Sequence, residues 1–381
     1  MKKGSHQLTS FIGFLFCIYC LASPITSWAD NSFKLSFPTV QESSSLNVQN
    51  IVPVLAREDV KDAQKLINSG DVDKAIDKLQ SIGSSSTEIS GFAHKRLGDI
   101  YLDMKKDYQG AYKEYSKIAN GEIPASSIVV GSAKLRLAYI KLHNKDYNGA
   151  ISSFIELAQG NQPILYSDAY DAAIRAAHCY QHIGDYDNAA KLFKEIAKQP
   201  IPEKDASYAQ LQLCGVFWEQ GKTKKTYTEK TICFINSQNA CQELLNNYPN
   251  SSDETRGIAE LLYLEDYYFM DDYYKTIELA NTWLTKYPKL KMQYITTLGW
   301  LAMSYYKTSQ YGKCINICQE INNGTWTASD QYKNFNVSGY AYLYEASSYE
   351  KMGNSEKATE LRAKCFEAYP SWYSIVINQI K

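Results

Sequence analysis

His178 and His182 stand four residues apart, the spacing that sets two imidazoles on one face of a helix and suits a divalent metal. Asp171, one or two turns earlier, is on the same side, but no third ligand is plainly placed. Two half-exposed groove histidines are the favoured expectation, with a metal site and a pH-sensitive contact as alternatives. Ser348-Tyr349-Glu350-Lys351 has the S-x-x-K form of acyl-transfer enzymes. Neither S-D-N nor K-T-G accompanies it, so chance is the better reading. The phosphate-binding G-x-x-x-x-G-K-[ST], the zinc-protease H-E-x-x-H, the nucleophile-elbow G-x-S-x-G and an EF-hand loop are all absent. The expectation is therefore a protein that is not an enzyme, with no cofactor and no metal.

Nine cysteines become seven if a leader is removed: Cys179, Cys214, Cys233, Cys241, Cys314, Cys318 and Cys365. Their spacing fits neither a disulfide scaffold nor a zinc site. Cys314 and Cys318, four apart on an expected helix, read as small packing residues. Cys233 and Cys241 flank an unusual stretch, and a disulfide between them is the alternative in an oxidising compartment. Lys222 to Lys230 (KTKKTYTEK) is locally basic, a solvated loop by expectation and a docking patch for an acidic partner by alternative.

The whole chain of 381 residues carries 40 Lys plus Arg against 41 Asp plus Glu, a net charge of −1. That balance argues against a nucleic-acid partner, which selects a basic excess. With 45% hydrophobic residues the chain can bury a sizeable core. Tyrosine is over-represented, at 31 residues against 13 Phe and 6 Trp. Residues 1–29 have the three-part layout of a secretory signal: Lys2 and Lys3, an apolar run from Phe11 to Ala22, then Ser27-Trp28-Ala29 as a cleavage site. The run would reach only about 18 Å as a helix, too short to span a bilayer. An exported chain without a transmembrane span is expected. Lipidation at Cys20 is the weaker alternative, because Tyr19 is bulky where a small residue is wanted.

The elements that would position any site come from an internal repeat. Ala176-Ala177, Tyr180, Gly184-Asp185-Tyr186, Ala189, Phe193, Ile196 and Pro200 trace a helix, a Gly-Asp turn and a second helix. The order returns from Ala63 through Gly70-Asp71 to Ile82, and from Glu345-Ala346 through Gly353-Asn354 to Pro370. It returns from Leu97-Gly98 through Tyr108 to Ile118, with one extra residue at the turn. Further copies start at Leu137-Ala138 and Leu301-Ala302, and weaker ones at Leu264 and Cys214-Gly215. Small residues such as Gly98, Ala177 and Ala189 let two helices approach, and Tyr180, Tyr186 and Phe193 fill the gaps beside them.

This pattern resembles the tetratricopeptide repeat. The resemblance implies an all-α, right-handed superhelical solenoid of antiparallel helix pairs over residues 56 to 370, in about eight divergent copies. Copies start further apart than the family's unit of about 34 residues, which implies longer inter-repeat loops. An interruption is expected at about 222–238. Residues 30 to 55 read as a flexible or partly extended lead-in, and 371 to 381 as a capping segment over the last repeat.

In the family, the first helices of the pairs line a concave groove. Carried onto this sequence, that face holds Phe92, Lys95, Leu135, Tyr139, His143, Asp171, His178, Gln181, His182, Asp266, Phe269, Met303, Tyr306 and Tyr340. Packing against a neighbouring repeat is the alternative for each. The Lys/Asn clamp with which chaperone-binding members hold an acidic C-terminus is lacking. The Tyr-Pro pairs Tyr248-Pro249, Tyr287-Pro288 and Tyr369-Pro370 resemble those of bacterial envelope repeat proteins. The expected function is a non-catalytic, exported scaffold, periplasmic or otherwise in the cell envelope, that binds a protein or peptide in the groove. The alternative is a small-molecule or glycan-binding envelope protein that uses the aromatic groove.

Overall fold

The computed structural model describes residues 33–373, apart from 86, 161–162, 325–336 and 371–372. The expected leader and all of the expected capping segment except Tyr373 lie outside the described residues. Those residues form eighteen α-helices and no strand.

Two helices precede the repeats, α1 (Val40–Asn50) and α2 (Val52–Leu55). Eight pairs follow. They are α3 (Glu58–Asn68) with α4 (Val72–Gly83), α5 (Glu88–Asp99) with α6 (Tyr108–Ala119), α7 (Ser127–His143) with α8 (Tyr147–Ala158), and α9 (Tyr166–His182) with α10 (Tyr186–Ala197). Then come α11 (Glu203–Thr223) with α12 (Tyr227–Asn247), α13 (Asp253–Phe269) with α14 (Tyr273–Lys286), α15 (Lys291–Lys307) with α16 (Tyr311–Asn323), and α17 (Val337–Lys351) with α18 (Ser355–Ala368). The chain divides into two compact units, the break falling between Ala209 and Gln210.

One turn recurs through the pairs. A residue of positive φ follows the first helix: Gly70, Lys106, Lys145, Gly184, Asp271, Ser309 and Gly353. The next amide then reaches back to a carbonyl of that helix, as from Asp146 to Lys141, 3.0 Å, and from Asp185 to Tyr180, 2.9 Å. This closes carbonyls that a helix end leaves open. The same residue caps the second helix. Asp107, Asp146, Asp185 and Asp272 accept the amides of Gly110, Gly149, Asn188 and Lys275 at 2.9–3.2 Å. The extra residue of the second repeat is absorbed inside the helix. Ile100–Met104 form a π-turn, with the Lys105 amide bonded to the Ile100 carbonyl.

Small residues do place the helices as their spacing predicts. A Cβ on Gly98 would lie 2.5 Å from the Tyr115 ring, and Ala177, Ala189 and Phe193 are fully buried. Tyr248, Tyr287 and Tyr369 end α12, α14 and α18, and a proline follows each.

Two expectations are corrected and one alternative is set aside. Residues 40–50 form α1, where no helical period was legible. A capping box starts it: Thr39 Oγ1 accepts the Glu42 amide at 3.1 Å and Glu42 accepts the Thr39 amide at 2.7 Å. The stretch 222–238 is not an interruption. It is the end of α11, a short turn and the start of α12, which a second capping box at Thr226 and Glu229 nucleates. Cys233 and Cys241 therefore lie on one helix, about 12 Å apart along its axis, beyond the roughly 7 Å limit of a disulfide. None of the seven described cysteines is in a disulfide, and all are buried.

The second unit hides two adjacent carboxylates. Glu265 and Asp266 are both 0% exposed. Glu265 accepts the Trp300 indole N–H at 2.7 Å, while its other oxygen has no hydrogen-bond partner among the described residues. Burial pushes Glu265 up to about 8 and Asp266 well above the carboxylate range.

Two predictions follow from this architecture. Relief of left-handed strain at Lys106, about 1–2 kcal/mol, exceeds the chain entropy a glycine adds, about 0.5–1 kcal/mol. Lys106→Gly should therefore raise the urea midpoint, while Asp107→Ala should lower stability by about 1 kcal/mol. Glu265 is protonated in the folded chain up to about pH 8, but ionises in the unfolded chain above about 4.5. Stability of the second unit should thus fall as pH rises through that window, by about 1.4 kcal/mol per unit at most. Glu265→Gln should flatten the fall in urea titrations at pH 5 and pH 8.

Candidate functional site

The first helices of successive pairs in the first unit open a cavity of about 370 Å³. Phe92 and Lys95 come from α5. Ile128, Val129, Ser132, Leu135, Arg136 and Tyr139 come from α7, and Leu165, Asp168 and Asp171 from the start of α9. On α7 the residues 128, 132, 135 and 139 fall on one stripe at helical spacing. Asn47 and Ile51, at and after the end of α1, complete the lining.

Two polar clusters fix its walls. Asp99, 7% exposed, accepts from Lys95 at 2.8 Å and from the Tyr115 hydroxyl at 2.8 Å, and Arg136 lies 3.5 Å away. Lys95 and Arg136 are thus held at the cavity by a carboxylate beneath them. In the second cluster Tyr139 donates to Asp171, and Arg175 Nε donates to the Tyr139 hydroxyl at 2.9 Å and to Asp171 at 3.2 Å. Burial, then the bond to Asp171, pushes the Tyr139 hydroxyl up to about 12, so it remains a donor. Asp168 is raised by burial as well, against the pull of Lys95 and Arg136. The cavity offers apolar surface, both signs of charge and fixed donors.

Of the sequence-derived candidates, Leu135, Tyr139 and Asp171 meet here, with Phe92 and Lys95. Four others in the first unit do different work. His143 stacks on Tyr108 at 3.6 Å and His182 on Tyr147 at 5.5 Å. His178 shares a hydrogen bond of 2.9 Å with buried Gln181 and meets the edge of Phe193. The two histidines are therefore spent on separate neighbours. No group of three His, Cys, Asp or Glu among the described residues could hold a metal.

In the second unit Asp266, Met303 and Tyr340 are buried, at 0%, 6% and 6% exposure, and are corrected from groove to core. Phe269 is packed among Trp218, Phe234, Tyr268 and Trp300, and Tyr306 between Tyr311 and Tyr344. Sequence reasoning missed Arg136, Asp168 and the α1 contribution. Asp168 could have been found, since it stands three residues before Asp171 on the same face.

No family model and no curated protein matches the chain. Solved structures do. The apo form of RapI aligns at TM-score 0.50 and 13% identity, over 82% of this chain and 86% of that one. A tetratricopeptide repeat protein from Parabacteroides merdae ATCC 43184 aligns at TM-score 0.48 and 12% identity, over 76% and 98%. PilW, described as a widely conserved type IV pilus biogenesis factor, aligns at TM-score 0.40 and 16% identity, over 64% and 94%. The likeness to RapI concerns the fold alone.

One prediction comes from His178. Burial pushes its imidazole down to about 4, so the folded chain keeps it neutral where the unfolded chain begins to protonate near 6.5. Its contribution to the first unit is complete above pH 6.5 and is lost as pH falls toward 4. His178→Gln should reduce the loss of stability between pH 6.5 and pH 4.5, measured by urea denaturation.

The recurring turn, the stacked pairs and the likeness to RapI over most of both chains lead to one conclusion: this chain has the tetratricopeptide-repeat fold, an all-α solenoid of helix pairs.

Proposed function

We propose that the chain is a non-catalytic scaffold that binds another protein or a peptide on the face formed by α5, α7 and α9. The observation that carries this reading is the cavity itself. Its apolar floor is bordered by charges already held in place by Asp99 and Asp171, so a ligand need not order them. The mixture of aromatic, aliphatic and charged side chains suits a polypeptide, which brings backbone hydrogen bonds and side chains of both kinds. We place this scaffold outside the cytoplasm, in the cell envelope, on the strength of the signal-like layout of residues 1–29. No helix among the described residues is long and apolar enough to cross a membrane.

Photocrosslinking in cells tests the binding face. A photoreactive residue at Lys95 or Tyr139 should yield adducts of defined mass that the same residue at Lys194, exposed on α10, does not yield. Equal adducts from all three positions, or none from the cavity, would refute the scaffold reading. Sequencing the purified protein from its N-terminus tests export, and a start at Asp30 is expected.

A further inference from the structure

The segment ahead of the repeats is docked on the first unit. The Phe33 ring lies 6.0 Å from that of Tyr180, and the Phe37 ring stands edge-on to Tyr166 and Tyr170 at 6.3 and 6.4 Å. Between them the Ser36 amide donates to the Ala158 carbonyl at 3.0 Å. Further on, Ser43 Oγ accepts the Tyr166 amide at 2.6 Å. These two bonds are complementary. Ala158 ends α8 and Tyr166 begins α9, so each offers a backbone group that its own helix cannot satisfy. Leu165, at the N-cap of α9, supplies no side-chain bond of its own. Gly160 permits the approach, because a Cβ there would lie 2.8 Å from the Ser36 carbonyl oxygen.

The same segment then reaches the cavity. Asn47 and Ile51 form part of its lining, and Ile51 packs against the cluster that α6 and α7 build. Yet the hold is slight. Within residues 33–51 no side chain whose exposure is described is buried. Segments held by few buried contacts open at the low end of a protein's range of local stabilities.

We propose that residues 33–51 are a displaceable arm, docked on the end of α8 and on α9 and reaching the wall of the cavity through Asn47 and Ile51. They show the chemistry of the partner that replaces them: an extended stretch with two aromatic residues four apart, followed by a hydroxyl-bearing helix. This rests on the reading of the first-helix face as the binding surface. The arm caps α8 and α9 in the free chain and forms one edge of the cavity. A partner segment takes over the same backbone groups and the same tyrosines.

The probe is a fluorescein-labelled peptide of residues 33–51, titrated by anisotropy into the full chain and into its Phe33→Ala/Phe37→Ala variant. The peptide should bind the variant at least tenfold more tightly than the unaltered chain, whose own arm competes. A peptide carrying both alanines should bind neither. Hydrogen exchange at the Tyr166 amide should speed up at least tenfold in the variant and slow again when the peptide is added. Ser36→Pro, which removes the amide bonded to Ala158 and fixes φ at an exposed position, should shift both readouts in the same direction. Unchanged Tyr166 exchange in both variants, or peptide binding that is absent or equal on the two chains, would overturn the proposal. If instead Lys95 and Tyr139 yield no specific adducts while the peptide behaves as expected, the scaffold reading fails and the docked arm stands.

Discussion

The reversal between the two helices of a pair is the constraint on which the rest depends. A first helix must end, turn and restart antiparallel within a few residues, with its last carbonyls and the next helix's first amides satisfied. A left-handed residue followed by Asp or Asn does both jobs at once. Left-handed backbone at Lys106, Lys145, Asp271 and Ser309 costs about 1–2 kcal/mol for a residue with a Cβ. The back-bond to the first helix and, where Asp follows, the cap on the second offset it at about 1 kcal/mol each. Glycine at Gly70, Gly184 and Gly353 avoids the strain. Because the geometry repeats, the first helices of the first unit face the same way, and α5, α7 and α9 can share a cavity.

The turn also couples neighbouring pairs. Tyrosine opens α6, α8, α10, α12, α14 and α16, directly after the capping position. Tyr108 and Tyr147 stack on His143 and His182 of the next first helix, and Tyr273 and Tyr311 meet the first helix of their own pair at Tyr268 and Tyr306. A ring with a polar tip suits this edge, where one side is packed and the other meets water. Much of the tyrosine excess is thus the material of the turns. It also explains why His143 and His182 do not line the cavity.

Legibility followed the same division. Gly-Asp turns and small residues at close crossings are set locally, so the pairs could be traced from Ala63 to Pro370. Three kinds of feature escaped. Helix α1 has almost no amphipathic period, so only its capping box signalled it. The α11–α12 pair has longer helices and no left-handed turn, so its length looked like an insertion. In the second unit, large aromatics such as Trp300 and Tyr268 fill the space beside the first helices, and the groove register of Asp266 points into core. A repeat register gives the face a residue occupies, whereas its neighbours' volumes decide whether that face is open.

The carboxylates Asp99 and Asp171 of the first unit and Glu265 and Asp266 of the second keep different company, and the difference bears on where a ligand can bind. Asp99 and Asp171 in the first unit are surrounded by donors: Lys95, Arg96 and Tyr115 for one, Tyr139 and Arg175 for the other. Such clusters keep polar side chains fixed beside an apolar floor, which is what a recognition surface requires. Glu265 accepts from the Trp300 indole but neither it nor Asp266 has a cation beside it among the described ion pairs, and burial keeps both neutral. A carboxylate that must stay protonated and sealed offers nothing to a passing chain. One that holds an arginine or a lysine at the rim of a cavity does, and this is the physical reason to look for the partner on α5, α7 and α9.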